Sequence, residues 1–262
     1  MIRWCAYCQR YLGEVAPFDD YAMTHTICPE CQASGAFLRK PSANLDAIRD
    51  FFARIALAGF DRPLSARELV AEGAALGLAP LDLMLGILQP MLYELGDRWT
   101  RSEVSIAEEH RISALCSEVI QSILEADDAA EALGRARPTH VLLVSADGND
   151  HVLGIRILEV VLLRRQIPTV AVYPGLPVAE IVELARGLRP RVVGISAVTP
   201  EHVRVAQELA DQLAGAGGAY HPLVVVGGLA LRGGIPGVVR PPLVACRDLG
   251  DFVGLVSAAP AP

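Results

Sequence analysis

Four cysteines and one histidine are the residues whose type and spacing best suit chemistry. Cys5-x-x-Cys8 and Cys28-x-x-Cys31 fall within residues 1–39, with aromatic and proline residues between them and no helical period. Each pair can close a tight turn around a tetrahedral ion, and four thiolates complete a structural zinc site with no position left open for catalysis. His25 lies close to the second pair, so three thiolates and one imidazole form an alternative ligand set, and four unrelated reduced cysteines are the bland one. A segment this small cannot fold on apolar burial alone, so the metal's binding energy would be its folding energy. The histidine is His151, in Ser145-Ala-Asp-Gly-Asn-Asp-His-Val-Leu-Gly154. A β-branched run (Val141 to Ser145) feeds this polar, glycine-bearing loop, and an apolar helical pattern from Val152 to Leu163 follows it. In an open parallel sheet the loops at the carboxyl ends of the strands form the binding crevice, so an imidazole there faces a ligand and is well placed to bind a metal.

The elements that must position these residues fall into three segments, expected at 1–39, 40–133 and 138–258. From Ser42 to about Asp128 the pattern predicts four helices. Pro41-Ser-Ala-Asn starts the first near residue 44, Ser65 caps the second, Pro80 fits the first turn of the third, and Thr100-x-x-Glu103 has the form of a capping box for the fourth. Apolar residues recur along the fourth (Val104, Ala107, Leu115, Val119, Ile123), as a four-helix bundle requires, and Pro90 should kink the third helix. After an Ala/Glu/Arg-rich connector ending at Pro138, strands at Val141–Ser145, Thr169–Tyr173, Val192–Ser196 and Leu223–Val226 alternate with helices near 152–165, 177–188 and 200–214. A fifth strand around Val238 and a last helix from about Asp248 complete an α/β, flavodoxin-like doubly wound parallel sheet. The Ala/Pro tail after Ser257 is expected to fray.

Composition narrows the function classes. Of 262 residues, 52% are hydrophobic, enough for a substantial core, and the net charge of −7 with no dense Lys/Arg cluster argues against direct DNA binding. Proteins and small molecules are the expected partners, and a homo-oligomer is compatible with the composition. No apolar run approaches the roughly 18 residues of a membrane span and no signal pattern opens the chain, which places it away from membranes and in the cytoplasm. Paired cysteines suit a metal in a reducing compartment better than a disulfide framework, whereas Cys116 and Cys246 read as small buried hydrophobes. His140, His202 and His221 are expected to cap or pack locally.

Asn149-Asp150-His151-Val-Leu-Gly154 resembles the D/E-x-H-x-x-G loop of cobalamin-binding domains, Ser196-Ala-Val198 their S-x-L segment, and Gly227-Gly228 their Gly-Gly turn, all at the expected strand ends. The resemblance implies that cobalamin threads its nucleotide tail into the sheet edge while His151 replaces the cofactor's own base as lower cobalt ligand. Neutral imidazole is a good ligand when its other ring nitrogen donates to an acceptor. The family's carboxylate is Asn149 here, whose oxygen can accept that bond without the full charge, giving weaker electron donation unless Asp147 or Asp150 compensates. Trp99 followed after nine residues by Glu109-His110 resembles the W-x9-E-H pattern in the helical cap of CarH-type cobalamin photoreceptors. On the capping-box reading Trp99 precedes the first turn of the fourth helix, His110 lies about two turns inside, and Ile106, His110, Ser113 and Ser117 share a stripe.

The resemblance implies that Trp99 packs against the deoxyadenosyl group of adenosylcobalamin, that light breaks the cobalt–carbon bond, and that an upper imidazole takes the vacated position. The family's histidine after the Trp is Thr100 here, which leaves His110 as the upper ligand. Some related photoreceptors hold a bilin beside the corrin, and a cavity of small residues would admit one. CarH-type repressors place a helix-turn-helix before this module, whereas a zinc ribbon stands here; module order is closer to the AerR/PpaA-type regulators, which act through protein partners. The leading reading is therefore a light-responsive cobalamin sensor without catalytic residues of its own. A corrinoid carrier for methyl transfer is the enzyme-class alternative, and a zinc-ribbon scaffold that has lost its cofactor is the third.

Overall fold

The computed structural model describes residues 1–41, 44–58, 65–125, 139–215, 220–234 and 237–259. The connector expected to end at Pro138 and the end of the Ala/Pro tail lie outside the described residues. Two compact units divide the chain, Met1–Ala126 and Asp127–Pro262.

The first unit opens with β1 (Ile2–Cys5), β2 (Tyr11–Glu14) and β3 (Met23–Thr26). They form a sheet in the order β2-β1-β3, β2 antiparallel and β3 parallel to the central strand. A one-turn helix α1 (Pro29–Ala33) follows. Four helices come next: α2 (Leu45–Ala58), α3 (Ala66–Ala75), α4 (Pro80–Thr100) and α5 (Ile106–Glu125). Ser65 caps α3, accepting from the Glu68 N–H, and Pro80 sits in the first turn of α4 where no N–H is missed. Met84 to Leu88 widen into a π-helical segment just before Pro90. Proline gives the Gly86 carbonyl no N–H and its ring crowds that oxygen, and the wider turn is where the helix takes up the misfit. Ile48, Phe51, Ile55, Leu69, Met84, Ile87, Leu88, Ile112, Cys116, Val119 and Ile120 are buried between the helices, with α3 packed on α5 and α2 on α4. Leu115, Val119 and Ile123 are buried as their spacing required; Ala107 faces out.

The fourth helix begins later than expected. Thr100 is the last residue of α4, and Thr100-x-x-Glu103 belongs to that helix's C-terminus. Ser102 takes a left-handed φ of 59°, its N–H donates to the Trp99 carbonyl at 2.9 Å, and the Glu103 N–H donates to the Arg98 carbonyl at 2.9 Å, a Schellman closure. The Glu103 carboxylate pairs with Arg101 at 2.7 Å. The working box is Ser105-x-x-Glu108: the Ser105 N–H donates to Glu108 Oε2 at 2.8 Å and the Glu108 N–H to Ser105 Oγ at 3.3 Å.

The second unit alternates strand and helix: β4 (Val141–Ser145), α6 (Leu153–Arg164), β5 (Thr169–Val172), α7 (Val178–Leu188), β6 (Val192–Ser196), α8 (Pro200–Gly215), β7 (Leu223–Gly227), β8 (Leu243–Ala245) and α9 (Leu249–Ala258). All five strands are parallel in the order β5-β4-β6-β7-β8, the flavodoxin-like arrangement with its switch point beside β4. Leu142, Val144, Val193, Ile195, Val224 and Val226 pack one face against α7 and α8, and Val141, Leu143, Val192 and Val225 pack the other against α6 and α9. The fifth strand is Leu243–Ala245 rather than a segment at Val238. Val238 and Val239 pack on the core from outside the sheet, and the strand begins only after Pro241-Pro242, neither of which can donate to a ladder. Among the described residues no single helix is long and apolar enough to cross a membrane.

Candidate functional site

The loop between β4 and α6 is built around one buried amide. As the chain leaves Ser145, the Ala146 N–H donates to the Ser196 carbonyl at 3.2 Å, and the Asn149 N–H returns to the Ala146 carbonyl at 2.9 Å across Gly148, whose φ is +74°. Asn149 is 0% exposed. Its Nδ2 donates to the Ser196 carbonyl at 3.0 Å, tying the loop to β6, and its Oδ1 accepts the His151 backbone N–H at 3.1 Å. The amide oxygen is thus engaged by the backbone of residue 151, not by the imidazole as the sequence suggested. A carboxylate could accept from His151 but could not donate to Ser196. The His151 side chain is exposed at the carboxyl edge of the sheet, with Asp147 and Asp150 exposed beside it. At Gly154 an added Cβ would meet nothing within 4 Å, so the start of α6 is open to a close approach.

Ser145, Ser196 and Gly227 stand side by side in register at the ends of β4, β6 and β7. Ser145 Oγ is buried and without a hydrogen-bond partner, a hydroxyl whose bonding capacity is unused; the sequence reading did not single it out. Small side chains, an orphaned hydroxyl and a free-standing imidazole at one sheet edge suit a flat cofactor with a polar tail. The Gly-Gly turn has a closer-range cause: a Cβ on Gly228, at φ +117°, would run into the Ala197 carbonyl, and one on Gly227 would lie 2.7 Å from Cys246 Sγ. Gly175, missed in the sequence, is required likewise by the Ala146 carbonyl, a contact between loops separated in sequence. Beyond Ser196, the N–H groups of Val198 and Thr199 donate to His202 Nδ1 at 3.2 and 3.3 Å, so His202 caps locally as expected. Burial pushes the thiols of Cys116 and Cys246 up to about 12, which keeps both as inert small hydrophobes.

In the helical unit, Trp99 occupies the last turn of α4, and His110 lies one turn inside α5, not two. Trp99 is 49% exposed and Ile106 65%, and the His110 side chain is 75% exposed. His110 Nε2 stands 3.4 Å from Glu109 Oε2, while Glu109 Oε1 accepts from Ser113 Oγ at 2.6 Å. An open cavity of about 540 Å³ runs between Trp99, Val104 and Ile106. A half-exposed tryptophan and an exposed isoleucine on this groove are costly to leave in water and suit a binding face; the His110 imidazole does not line it.

The four ribbon thiols converge, their ligand atoms all within 4.8 Å of one another. Cys8 and Cys28 sulfurs lie 3.7 Å apart, against about 3.8 Å between sulfurs of a tetrahedral zinc tetrathiolate. Cys28 caps α1, accepting from the Cys31 N–H at 3.4 Å, and its own N–H donates to Cys5 Sγ at 3.5 Å. Burial works against the Cys5 thiolate, but N–H donation from Cys28, Cys8 and Tyr7 outweighs it and draws the thiol down to about 6. The cluster fits zinc. His25 is exposed on β3 and is not among the converging ligands.

Residues 56–124 match the model of the B12 binding domain. Over 144 residues the chain is 26% identical to the HTH-type transcriptional repressor CarH of Myxococcus xanthus, covering 55% of this chain and 45% of that protein, so it spans less than half the relative's length. The chain is thus similar to a B12 binding domain over 56–124 and to CarH over part of its length. The monomethylamine corrinoid protein of Methanosarcina barkeri shares the fold, with a TM-score of 0.58 at 17% identity over 79% of this chain and 95% of that one.

Proposed function

We propose that this protein is a cobalamin-based light sensor that signals through a protein partner. The observation that carries the reading is His151: an exposed imidazole held at the sheet edge by a wholly buried Asn149, in a chain whose helical segment matches the B12 binding domain. His151 would hold the cobalt of a bound cobalamin, its position fixed through its backbone N–H. Asp150, Gly154, Ser196, Val198, Gly227 and Gly228 border the path of the nucleotide tail, and the Ser145 hydroxyl supplies a hydrogen bond there. In the helical unit Trp99 would shield a bound cofactor from water, and Glu109 would orient His110, which would offer a second imidazole. Adenosylcobalamin, when bound, supplies a cobalt–carbon bond that light breaks. The helical unit would respond by changing its partnering, and a bilin would extend the response to red light. The N-terminal cysteines hold a structural zinc.

Purified protein loaded with adenosylcobalamin in the dark should change its absorption spectrum under green light, and His151→Ala should lose the dark complex. A loaded protein whose spectrum never changes on illumination, or a His151→Ala variant that takes up cobalamin as the parent does, would overturn the reading. Difference spectra under red light report any bilin in the same experiment. The corrinoid-carrier reading draws on the fold shared with the monomethylamine corrinoid protein. It would be favoured by tight binding of methylcobalamin followed by demethylation in the dark by a partner enzyme.

A further inference from the structure

We infer that the ribbon is a zinc- and thiol-dependent clamp on α4, so that loss of the metal loosens the helix whose last turn carries Trp99. The ribbon touches this helix at three points. In the first turn the Tyr11 backbone N–H donates to Asp82 Oδ1 at 2.9 Å. In the second turn, the fully buried Trp4 ring fills the space over Gly86, where any Cβ would overlap the indole. In the last turn Tyr21 Oη donates to Asp97 Oδ2 at 2.5 Å, two residues before Trp99. Gln9 Nε2 adds a bond to the Leu76 carbonyl at 2.7 Å, just ahead of the helix. The Gly86 contact falls inside the π segment, where α4 has already given up regular hydrogen bonding and is easiest to deform.

Three of the four grips adjoin the thiolate cluster. Trp4 adjoins Cys5 and Gln9 adjoins Cys8, while Tyr11 lies on a strand paired to Trp4. Three four-residue strands whose largest apolar side chain is spent on α4 have little core of their own, so their order depends on the metal. Cys8 is exposed and its sulfur lies 3.7 Å from that of Cys28. Hydrogen peroxide can take two electrons from these two thiolates, forming one S–S bond while the peroxide, with two protons, becomes two waters. A zinc ion left with two thiolates would dissociate. The clamp would then give the helical unit a second input, zinc availability or oxidant, that does not depend on His151 or on a bound cobalamin.

Hydrogen exchange on the full chain tests this, read by mass spectrometry with zinc bound, after a zinc chelator, and after hydrogen peroxide. Chelation and peroxide should each speed exchange in peptides from 80–100 by about tenfold or more, leave 141–227 unchanged, and be reversed by reductant with zinc. Asp82→Ala combined with Tyr21→Phe keeps all four cysteines; it should bind one zinc per chain yet show faster exchange in 80–100 with the metal in place. The inference fails if the parent protein holds no zinc. It fails too if chelation melts 1–31 while 80–100 keeps its protection, or if the double variant exchanges as the parent does.

Discussion

His151 was legible from the sequence because a β-branched strand, a glycine-bearing loop and a helix announce a carboxyl-edge loop without any tertiary information. The role of Asn149 was not, because its partner, the Ser196 carbonyl, lies 47 residues away on another strand. The substitution of an amide for the family's acid looked like a weakened acceptor; the structure makes it a donor that an acid would lack. Asn149→Asp is therefore the informative change. It preserves shape and the acceptor for the His151 N–H, but it removes the donor to Ser196 and sets a buried carboxylate against a carbonyl oxygen. The cofactor-free protein should lose about 1–3 kcal/mol at neutral pH, the cost of an unsatisfied buried polar group. Chemical denaturation measures it, and a variant as stable as the parent would show that the tether carries no weight. If instead Asn149 acted mainly through the imidazole, the aspartate would leave apo stability intact and strengthen cobalt ligation.

At the scale of elements, four strands were readable to within a residue because continuous apolar runs bounded by turn residues leave few alternatives. The fifth was displaced because Val238-Val239 satisfies the same burial from outside the sheet. The start of α5 misled for a different reason. The chain offers two S/T-x-x-E patterns five residues apart, and only tertiary structure shows that the first is consumed by the Schellman closure of α4. The two patterns predict opposite mutational results. Ser105→Ala removes a cap used by the Glu108 N–H and should destabilise the helical unit by about 1 kcal/mol. Thr100→Ala should change stability by less than about 0.5 kcal/mol, since its hydroxyl only bonds back to the Asp97 carbonyl at 2.7 Å on an exposed turn. Matched urea titrations in which Thr100→Ala is the costlier substitution would restore the earlier helix start.

Across the whole molecule, the ribbon, the helices and the sheet could all be read from sequence as modules, since each has its own signature: paired cysteines, a helical apolar period, and alternating strands and helices. What local patterns cannot carry is which modules fold together. Trp4 over Gly86, Tyr11 on Asp82 and Tyr21 on Asp97 join positions 71 or more residues apart within the unit Met1–Ala126. The sheet unit has an independent core on both faces. Two units with separate cores should unfold in two calorimetric transitions that answer to different ligands. A zinc chelator should lower the transition of the first unit in both the parent and His151→Ala. Dark-loaded adenosylcobalamin at about a hundredfold over its Kd should stabilise the sheet unit by about 2.7 kcal/mol, and only when His151 is present. Because the His151 side chain is exposed and its backbone N–H survives substitution, the apo transitions of His151→Ala should match those of the parent. A single transition that shifts as one with chelator would mean the two cores are not thermodynamically separate. A cobalamin shift that survives His151→Ala would move the cofactor's anchor elsewhere while leaving the zinc-dependent half of the prediction intact.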